Sequence, residues 1–373
     1  MTKKPYIGVI GVLLWLLLSG CSCNPSLSTM SLLTKEYNYW EAMGKYSGNQ
    51  ALMLVKQEGV TPQKENVIIL SNAGYAEIEN QSTMGFIDGL ADITGGKRGT
   101  NTMVEIHSRY DSPLWCAIYD KSSGYCVYFQ LKSSIHTGNI HSPSPFEIFA
   151  VTSIEKIDKD HLFLNAEEYN KKFADKIFGG NEFRIVSIVN ALAKGAPAYA
   201  VRAFEYHDHY CPGVTSGILM VNYIKKYFPL TAPDDAYFVQ SIQPWCKEDA
   251  LMTLLNATPG KKGYSVLYST EVDRAAWKPE AQDAATIIYR LNRNLKKWDG
   301  LVLGFTWNDC ECPDYGKGSM LTKLCQDLWY LDNLNQPENF IKEIKRFNLP
   351  DKQSPLEYTL PGVDPMKLIG LSN

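Results

Sequence analysis

The feature that most constrains the fold is a pattern of elements that occurs once in each half of the chain. Residues 88–106 and 249–268 each predict a helix that begins near an aspartate, a Gly-basic-basic-Gly turn and an apolar strand. At roughly 150 residues per copy, this is duplication of a whole domain and not a solenoid repeat. The sequence therefore predicts an α+β chain of two related domains. Chance similarity between two α+β patterns is the alternative.

The two copies differ in the residues that can bind a metal. We align residues 39–54 with 203–220, so that Trp40 lies opposite Phe204. The candidate ligands of the second copy and their counterparts on this alignment are His207 and Met43, His209 and Lys45, Cys211 and Ser47, and Cys246 and Gly85. We therefore expect the scaffold in both copies but the chemistry in the second alone, with the first copy serving packing, pairing or pocket shape.

Chain length and composition allow a division into five segments. About 350 residues remain after a signal peptide, which is enough for two domains of roughly 100–200 residues. The predicted segments are a signal peptide (1–21), a linker (22–31), a degenerate first copy (32–165), a second copy with the site (166–335) and a tail (336–373). The tail contains five prolines and is expected to wrap the surface.

The N-terminus predicts export from the cytoplasm. A lysine-containing start, a short apolar run and small residues before a cleavage point are typical of a secretory signal. The run is also shorter than the roughly 20 residues that a membrane-spanning helix needs. Leu18-Ser19-Gly20-Cys21 resembles a lipobox, where prokaryotic lipoproteins are cleaved. We therefore expect lipid on Cys21 and a protein anchored to the outer face of the cell membrane, with an ordinary signal peptide as the alternative.

The charge of the chain argues against nucleic acid as a partner. The net charge is -3, the isoelectric point is about 6.1, and the basic residues are scattered along the sequence. Nucleic-acid-binding domains instead concentrate lysine and arginine on one face. We expect a small-molecule ligand and no nucleic acid.

Cysteines outside the cytoplasm commonly pair, so disulfides are considered for each. Cys116 and Cys126 flank a sequence that predicts strand, turn and strand, and they could face each other across it. Cys310, Cys312 and Cys325 lie in a loop-rich segment that could be a disulfide knot or a small metal site, of which we favour the disulfide.

Two other cysteines are each predicted to precede a helix. Cys211 comes directly before Pro212-Gly213 and a run with apolar residues at helical spacing. Cys246 follows the predicted strand 236–242 and precedes a run with acidic residues in its first turn. The positive end of a helix dipole favours the thiolate, the form that binds metals and attacks electrophiles.

His207, His209, Cys211 and Cys246 together are a ligand set that suits zinc, and iron or nickel would also accept it. In an extended segment His207 and His209 share a face, whereas in a helical turn His207 and Cys211 do. The alternatives are a disulfide between the two cysteines, or cysteines unconnected to surface histidines.

The same residues carry a resemblance to a known family. "HDHYCPGVTSG" and "CKEDALMTLLNATPGKKGYSVLY" resemble two sequence blocks of the FmdE family, whose members are related to a component of formylmethanofuran dehydrogenase, over roughly residues 190–291. The resemblance implies an α+β core that pairs into dimers, with the His/Cys cluster as a metal-binding or active-site cleft. The first copy would then be a degenerate FmdE-like domain, and the chain either an intramolecular pseudo-dimer or a homodimer.

The resemblance has limits. Asp208 stands where the family usually has glycine, and Cys310-x-Cys312 does not match the C-x-x-C of the zinc-finger extension in some members. An outer location would also exclude the cytoplasmic complex that gives the family its name.

Three functions fit these residues. The first is a metal-binding lipoprotein that binds or acts on a small molecule, with Asp208 and Asp249 supporting the ligands or transferring protons. For Asp249 we favour the alternative of a solvated carboxylate at a helix end. The second is a thiol-redox or group-transfer enzyme in which Cys211 attacks and Cys246 resolves. The third is a protein that binds a cofactor or substrate without catalysis. The catalytic candidates are Cys211, Cys246 and Asp208.

Overall fold

A computed structural model describes residues 27–133, 145–316 and 318–373. The predicted signal peptide, including Cys21, lies outside the described residues, as does Cys23. Within those ranges, every helix is too short or too polar to cross a bilayer.

Helices and strands both occur along the whole described chain, in the mixed order expected of an α+β protein. The strands are β1 Val67–Ser71, β2 Glu77–Ile78, β3 Gln81–Ser82, β4 Met103–Glu105, β5 Trp115–Asp120, β6 Tyr125–Leu131, β7 Phe149–Lys156, β8 Ala236–Ile242, β9 Tyr264–Leu267, β10 Ala284–Asn292, β11 Lys297–Phe305 and β12 Ile341–Asn348. The helices are α1 Leu27–Gln57, α2 Gly85–Thr94, α3 Pro145–Ile148, α4 Lys159–Leu164, α5 Ala166–Ala174, α6 Glu182–Ala193, α7 Ala198–His207, α8 Pro212–Tyr227, α9 Lys247–Leu255, α10 Glu271–Ala275, α11 Met320–Asp332 and α12 Pro365–Leu368.

Two five-stranded sheets share one topology. The first has the strand order β4-β1-β5-β6-β7 and the second β9-β8-β10-β11-β12. In each, the short edge strand pairs parallel to its neighbour and the other strands pair antiparallel. The edge strand follows a helix and a 3-10 turn in both copies, as the repeated sequence pattern predicts. A shared topology of this detail supports duplication over chance similarity.

The upstream alignment of the two copies, however, is wrong. In the first copy α1 packs closely on α2, and a Cβ added at Gly89 would lie 2.0 Å from the Glu41 carbonyl oxygen. In the second copy α8 packs on α9 in the same way, with Gly217 against the backbone of Lys247. The counterpart of α1 is therefore α8. Aligning their last residues puts Cys211 opposite Glu41 and not Ser47.

The physical reason is a break in the second copy that the first copy lacks. The chain is helical up to His207 and again from Pro212, whereas α1 is continuous over the matching positions. The alignment made from the sequence matched part of the continuous helix α1 to residues 203–220, which include this break. The conclusion that the first copy lacks the soft ligands holds, since the matching positions are Tyr37, Tyr39, Glu41 and Gly85.

The elements stack in layers around three hydrophobic clusters. Helices α1 and α2 cover one face of the first sheet, with Trp40 and Phe86 fully buried. The other face packs on a helical layer that also covers the inner face of the second sheet, and this layer contains α4 to α9 and α11. The outer face of the second sheet packs against the C-terminal segment through Tyr358, Met366 and Leu371. The site lies in the helical layer between the two sheets.

Two predicted segment boundaries are wrong. Residues 27–31, assigned to a linker, already belong to α1. Residues 336–373 are more than a tail, because β12 pairs with β11 as the fifth strand of the second sheet. Only the part after β12 wraps the surface. Local sequence cannot show that a strand late in the chain completes a sheet begun a hundred residues earlier.

Of the described cysteines outside the cluster, some are free and two form a disulfide. Cys116 and Cys126 lie on the predicted hairpin, but they point to opposite faces of the sheet, opposite Phe129 and Tyr119, and both are free. Their proposed approach across the hairpin is wrong because strand side chains alternate between faces. In the loop-rich segment, the disulfide interpretation is confirmed for Cys312 and Cys325, while Cys310 is free.

Candidate metal centre

The segment from His207 to Cys211 joins two helices by a tight turn. Helix α7 ends at His207, and Asp208 adopts a left-handed conformation with φ of 70°. Aspartate tolerates this conformation better than most side chains. Cys211 then has extended backbone and caps α8, whose first residue is Pro212. The segment is therefore neither wholly extended nor a single helical turn, the two forms considered from the sequence.

Cys246 occupies the equivalent place before α9, as predicted. Its side chain meets the start of α8 at Gly213, where an added Cβ would lie 2.7 Å from Cys246 Cβ and 3.0 Å from its Sγ. A side chain at position 213 would therefore displace the thiol. This close approach explains why glycine follows the proline, and it brings both helix starts to one point.

Among the described residues, one group of side chains could hold a metal ion: His207, Cys211 and Cys246. One ligand atom from each lies within 4.8 Å of the other two, and His207 Nε2 is 3.8 Å from Cys211 Sγ. Nitrogen and sulfur ligands lie about 2.0–2.3 Å from zinc, so neighbouring ligands of a tetrahedral ion are roughly 3.4–3.8 Å apart. The separation of His207 Nε2 and Cys211 Sγ lies at the upper end of this range. Both thiols are free, unlike in the alternative of a Cys211–Cys246 disulfide.

Asp249 orients the imidazole of His207. Its Oδ2 is 2.6 Å from His207 Nδ1, which leaves Nε2 directed to the thiols. Metal-binding histidines commonly bond a carboxylate through the second ring nitrogen. Burial alone would lower the pKa of His207, but the hydrogen bond to Asp249 and the contact with Cys246 raise it to about 9. Asp249 thus has the supporting role, and the interpretation favoured from the sequence, a solvated carboxylate at a helix end, is wrong.

The two thiols are electrostatically unequal. A hydrogen bond from the Cys211 thiol lowers the pKa of Cys246, with a further contribution from His207, and outweighs the opposing effect of burial. The same bond raises the pKa of Cys211, and burial raises it further. In the metal-free protein Cys246 is therefore the first to become a thiolate.

His209, the fourth predicted ligand, lies beside the group but is not part of it. Its ring centroid is 4.4 Å from that of His207, while its Nδ1 is 2.6 Å from Asp208 Oδ1. Asp208 also accepts a hydrogen bond from Arg184 at 2.8 Å. Burial would raise the pKa of Asp208, but these two partners lower it overall. Asp208 acts on His209 and has no hydrogen bond to the thiols, which makes it a positioning residue.

Sequence reasoning missed the cavity that opens onto the cluster. It has a volume of about 570 Å³ and is bounded partly by Cys211, Gly213 and Cys246. Its remaining walls come from elements far away in sequence: α6, the loop after β11 and α11. The lining side chains from these elements include Phe183, Trp307, Cys310, Lys323 and Tyr330. Of these, the sequence had singled out only Cys310, as part of a cysteine-rich loop.

The first copy supports the site from outside. The ring of His107, after β4, stacks on Tyr206 with centroids 5.2 Å apart, and its backbone N–H donates to the Glu205 carbonyl at 3.0 Å. Arg98 adds an ion pair with Glu205 at 3.2 Å. These contacts fix the end of α7, directly before His207. The expected packing role of the first copy is thus what the contacts provide.

A protein-family model matches part of the chain. Residues 206–306 match the family model FmdE, described as "FmdE, Molybdenum formylmethanofuran dehydrogenase operon". No curated protein matches the chain. The matched residues contain β8 to β11 together with His207, Cys211 and Cys246. The second half of the chain therefore carries an FmdE-like domain, and the His/Cys/Cys cluster lies inside it.

Proposed function

We propose that this protein binds one divalent metal ion through His207, Cys211 and Cys246 and presents it to a small molecule. The observation that carries the proposal is the convergence of three donor atoms within 4.8 Å, from two helix starts and the end of a third helix. The hydrogen bond between Asp249 and His207 supports it, because it leaves Nε2 free as the ligand.

Zinc is the expected ion. Two thiolates and an imidazole form a soft to borderline donor set, and zinc accepts it in tetrahedral geometry with one position left for water or substrate. Iron and nickel accept the same ligands, so the identity of the ion is decided by metal analysis of natively produced protein.

A bound ion of this kind polarises a substrate carbonyl or lowers the pKa of a bound water molecule. The chain supplies the surroundings. Asp249 holds His207 in place, and the Arg184–Asp208 ion pair holds His209 at the wall of the cavity. The ring of His209 thereby lies where it can exchange a proton with a molecule in that cavity.

The protein is proposed to work outside the cytoplasm, anchored by lipid on Cys21 to the outer face of a prokaryotic cell membrane. The sequence of residues 1–21 supports this location. The disulfide between Cys312 and Cys325 supports it independently, since such bonds persist in oxidising compartments. The two copies in one chain are proposed to replace the dimer that the family resemblance implies.

A thiol-exchange function is the second candidate, favoured by the lowered pKa of Cys246 beside a second free thiol. The lowered pKa of Cys246 reverses the roles expected from the sequence: its thiolate would attack a substrate disulfide and release one substrate thiolate, and Cys211 would resolve the mixed disulfide. In that second step Cys211, once deprotonated, would displace the other substrate thiolate. The products are a Cys211–Cys246 disulfide and a reduced substrate dithiol.

Metal analysis of natively produced protein and of three variants tests the proposal. We expect about one ion per chain in the wild type, loss of the ion in His207→Ala and Cys211→Ser, and retention in Cys310→Ser, which changes a free cysteine outside the group. Equal metal content in all four proteins would contradict the proposal. Alkylation then separates the candidates: after denaturation without reductant, a metal-bound pair adds two thiols to those of Cys116, Cys126 and Cys310, whereas a Cys211–Cys246 disulfide adds none.

A further inference from the structure

The cavity beside the metal cluster carries an inference about what binds there. It is bounded by the cluster on one side, and its volume of about 570 Å³ is in the range that holds a small organic molecule. The inference deepens the proposed function, because it names the substrate class of the same site.

Aromatic side chains dominate the walls. Trp245 and Trp307 contact edge to face with centroids 5.9 Å apart, and Tyr330 meets Trp307 at 5.7 Å. Both tryptophans remain largely exposed, Trp245 by 56% and Trp307 by 45%. Large rings left exposed around a concave site provide faces on which another flat ring can stack and bury apolar area.

The charge of the walls favours an anion. Lys323, on α11, forms no ion pair with any residue that the structure describes, and its ammonium lies 5.9 Å from the Phe183 ring centroid. The starts of α8 and α9 reach the cavity at Pro212, Gly213 and Cys246, and helix starts carry partial positive charge. Asp309, exposed in the loop after β11, is the carboxylate that opposes them in the lining.

We propose that the cavity binds a flat aromatic anion, with the ring against Trp245 and Trp307 and the negative group paired with Lys323. In this arrangement the ring spans the aromatic walls and lies within the cavity that Cys246 and Cys211 border. Asp309 weakens the binding by repulsion.

Calorimetric titration of the full-length protein with 2-naphthoate and its neutral analogue 2-naphthamide tests the inference. We expect naphthoate to bind up to about fivefold more tightly than naphthamide, as one partly exposed charge pair gives. Lys323→Met should remove this preference, and Asp309→Asn should increase it. Lys367→Met, on the outer side of α12, is the matched control and should leave both affinities unchanged. Equal binding of the two probes to the wild type, or an unchanged preference in Lys323→Met, would overturn the proposal.

The stacking part is tested by Trp307→Ala and Trp307→Phe. Loss of the ring should weaken both probes about tenfold, while phenylalanine should restore most of the affinity. Unchanged affinity in Trp307→Ala would refute stacking at this residue. If the alanine variant fails to fold, Trp307→Leu replaces it as the variant without a ring, and unchanged affinity in that variant would likewise refute stacking.

Titration of metal-loaded and metal-stripped protein keeps this inference distinct from the proposed function. A protein that never holds metal but binds naphthoate through Lys323 would defeat the proposed function and leave the anion site intact. A protein that holds metal but binds neither probe would defeat the anion site alone.

Discussion

At the scale of single residues, the site depends on side chains that hold other side chains. Asp249 fixes His207, and Asp208, itself held by Arg184, fixes His209. Each of the two histidine hydrogen bonds is made by Nδ1 of the imidazole ring and therefore fixes the direction in which Nε2 of the same ring points. Two histidines separated by one residue thereby take different places, one in the cluster and one at the cavity wall.

Replacing Asp249 with asparagine should weaken metal binding about 10- to 100-fold, because such supporting carboxylates set the orientation and basicity of the ligand. Competition with a chelator measures the affinity. The control is Asp88→Asn, since Asp88 is the counterpart of Asp249 in the first copy and bonds Tyr37 instead. Similar losses of affinity in both variants would show that Asp249 has no special role.

The lowered pKa of Asp235 should make the free energy of unfolding depend on pH. Hydrogen bonds from Thr231 and from the backbone of Arg293 lower its pKa to about 2, against about 3.9 in an unfolded chain. A lowered carboxyl pKa gives stability that is complete above about pH 4 and is lost as the pH falls toward about 2. Urea unfolding at pH 6 and pH 3 should therefore show a smaller loss on acidification in Asp235→Asn than in the wild type. An equal loss would argue against this residue as a source of the acid sensitivity.

At the scale of elements, the equivalent helix pairs α1–α2 and α8–α9 differ in the side chains at their contact. Helices α1 and α2 approach each other closely at Gly44, Gly85 and Gly89, whereas the α8–α9 contact contains a thiol against Gly213. The break at residues 208–211 frees the start of α8, so that its cap meets the cap of α9. A continuous helix, as in the first copy, has no cap at this position.

Gly213→Ala should destabilise the fold by roughly 1–3 kcal/mol, because the added methyl overlaps Cys246 and helix packing resists expansion. Metal affinity should fall with it. Denaturant unfolding measures the first quantity and chelator competition the second. Gly260→Ala is the control: nothing lies within 4 Å of an added Cβ there, and we expect little change. If Gly213→Ala matches this control, the close approach of α8 to Cys246 is not required.

At the scale of the whole molecule, the C-terminal segment closes the second copy. It buries the outer face of the second sheet, including Phe238, Ile287 and Tyr289, under Tyr358 and Met366. The corresponding face of the first sheet is covered by the shared helical layer instead. The two copies therefore use different segments to cover equivalent faces, which explains why a tail follows the second copy.

Deletion of residues 350–373 should expose this apolar face and yield a protein that aggregates or loses cooperative unfolding. An uncovered sheet face of this kind is a large apolar patch, which soluble proteins rarely tolerate. Size-exclusion chromatography and thermal melting report the outcome. A monomeric truncated protein with an unchanged melting temperature would show that the segment is dispensable.

The sequence by itself determined what is local: the helix, turn and strand that recur in each half, the cysteines before two helices and the proline that starts α8. These follow from spacing and backbone preferences within a few residues. Only the tertiary structure decided that Cys246 meets His207 and Cys211, that His209 turns aside, that β12 completes the second sheet, and that α6 and α11 wall a cavity. Such contacts join residues far apart in the chain, and their geometry is set by helix and sheet packing, which no local pattern encodes.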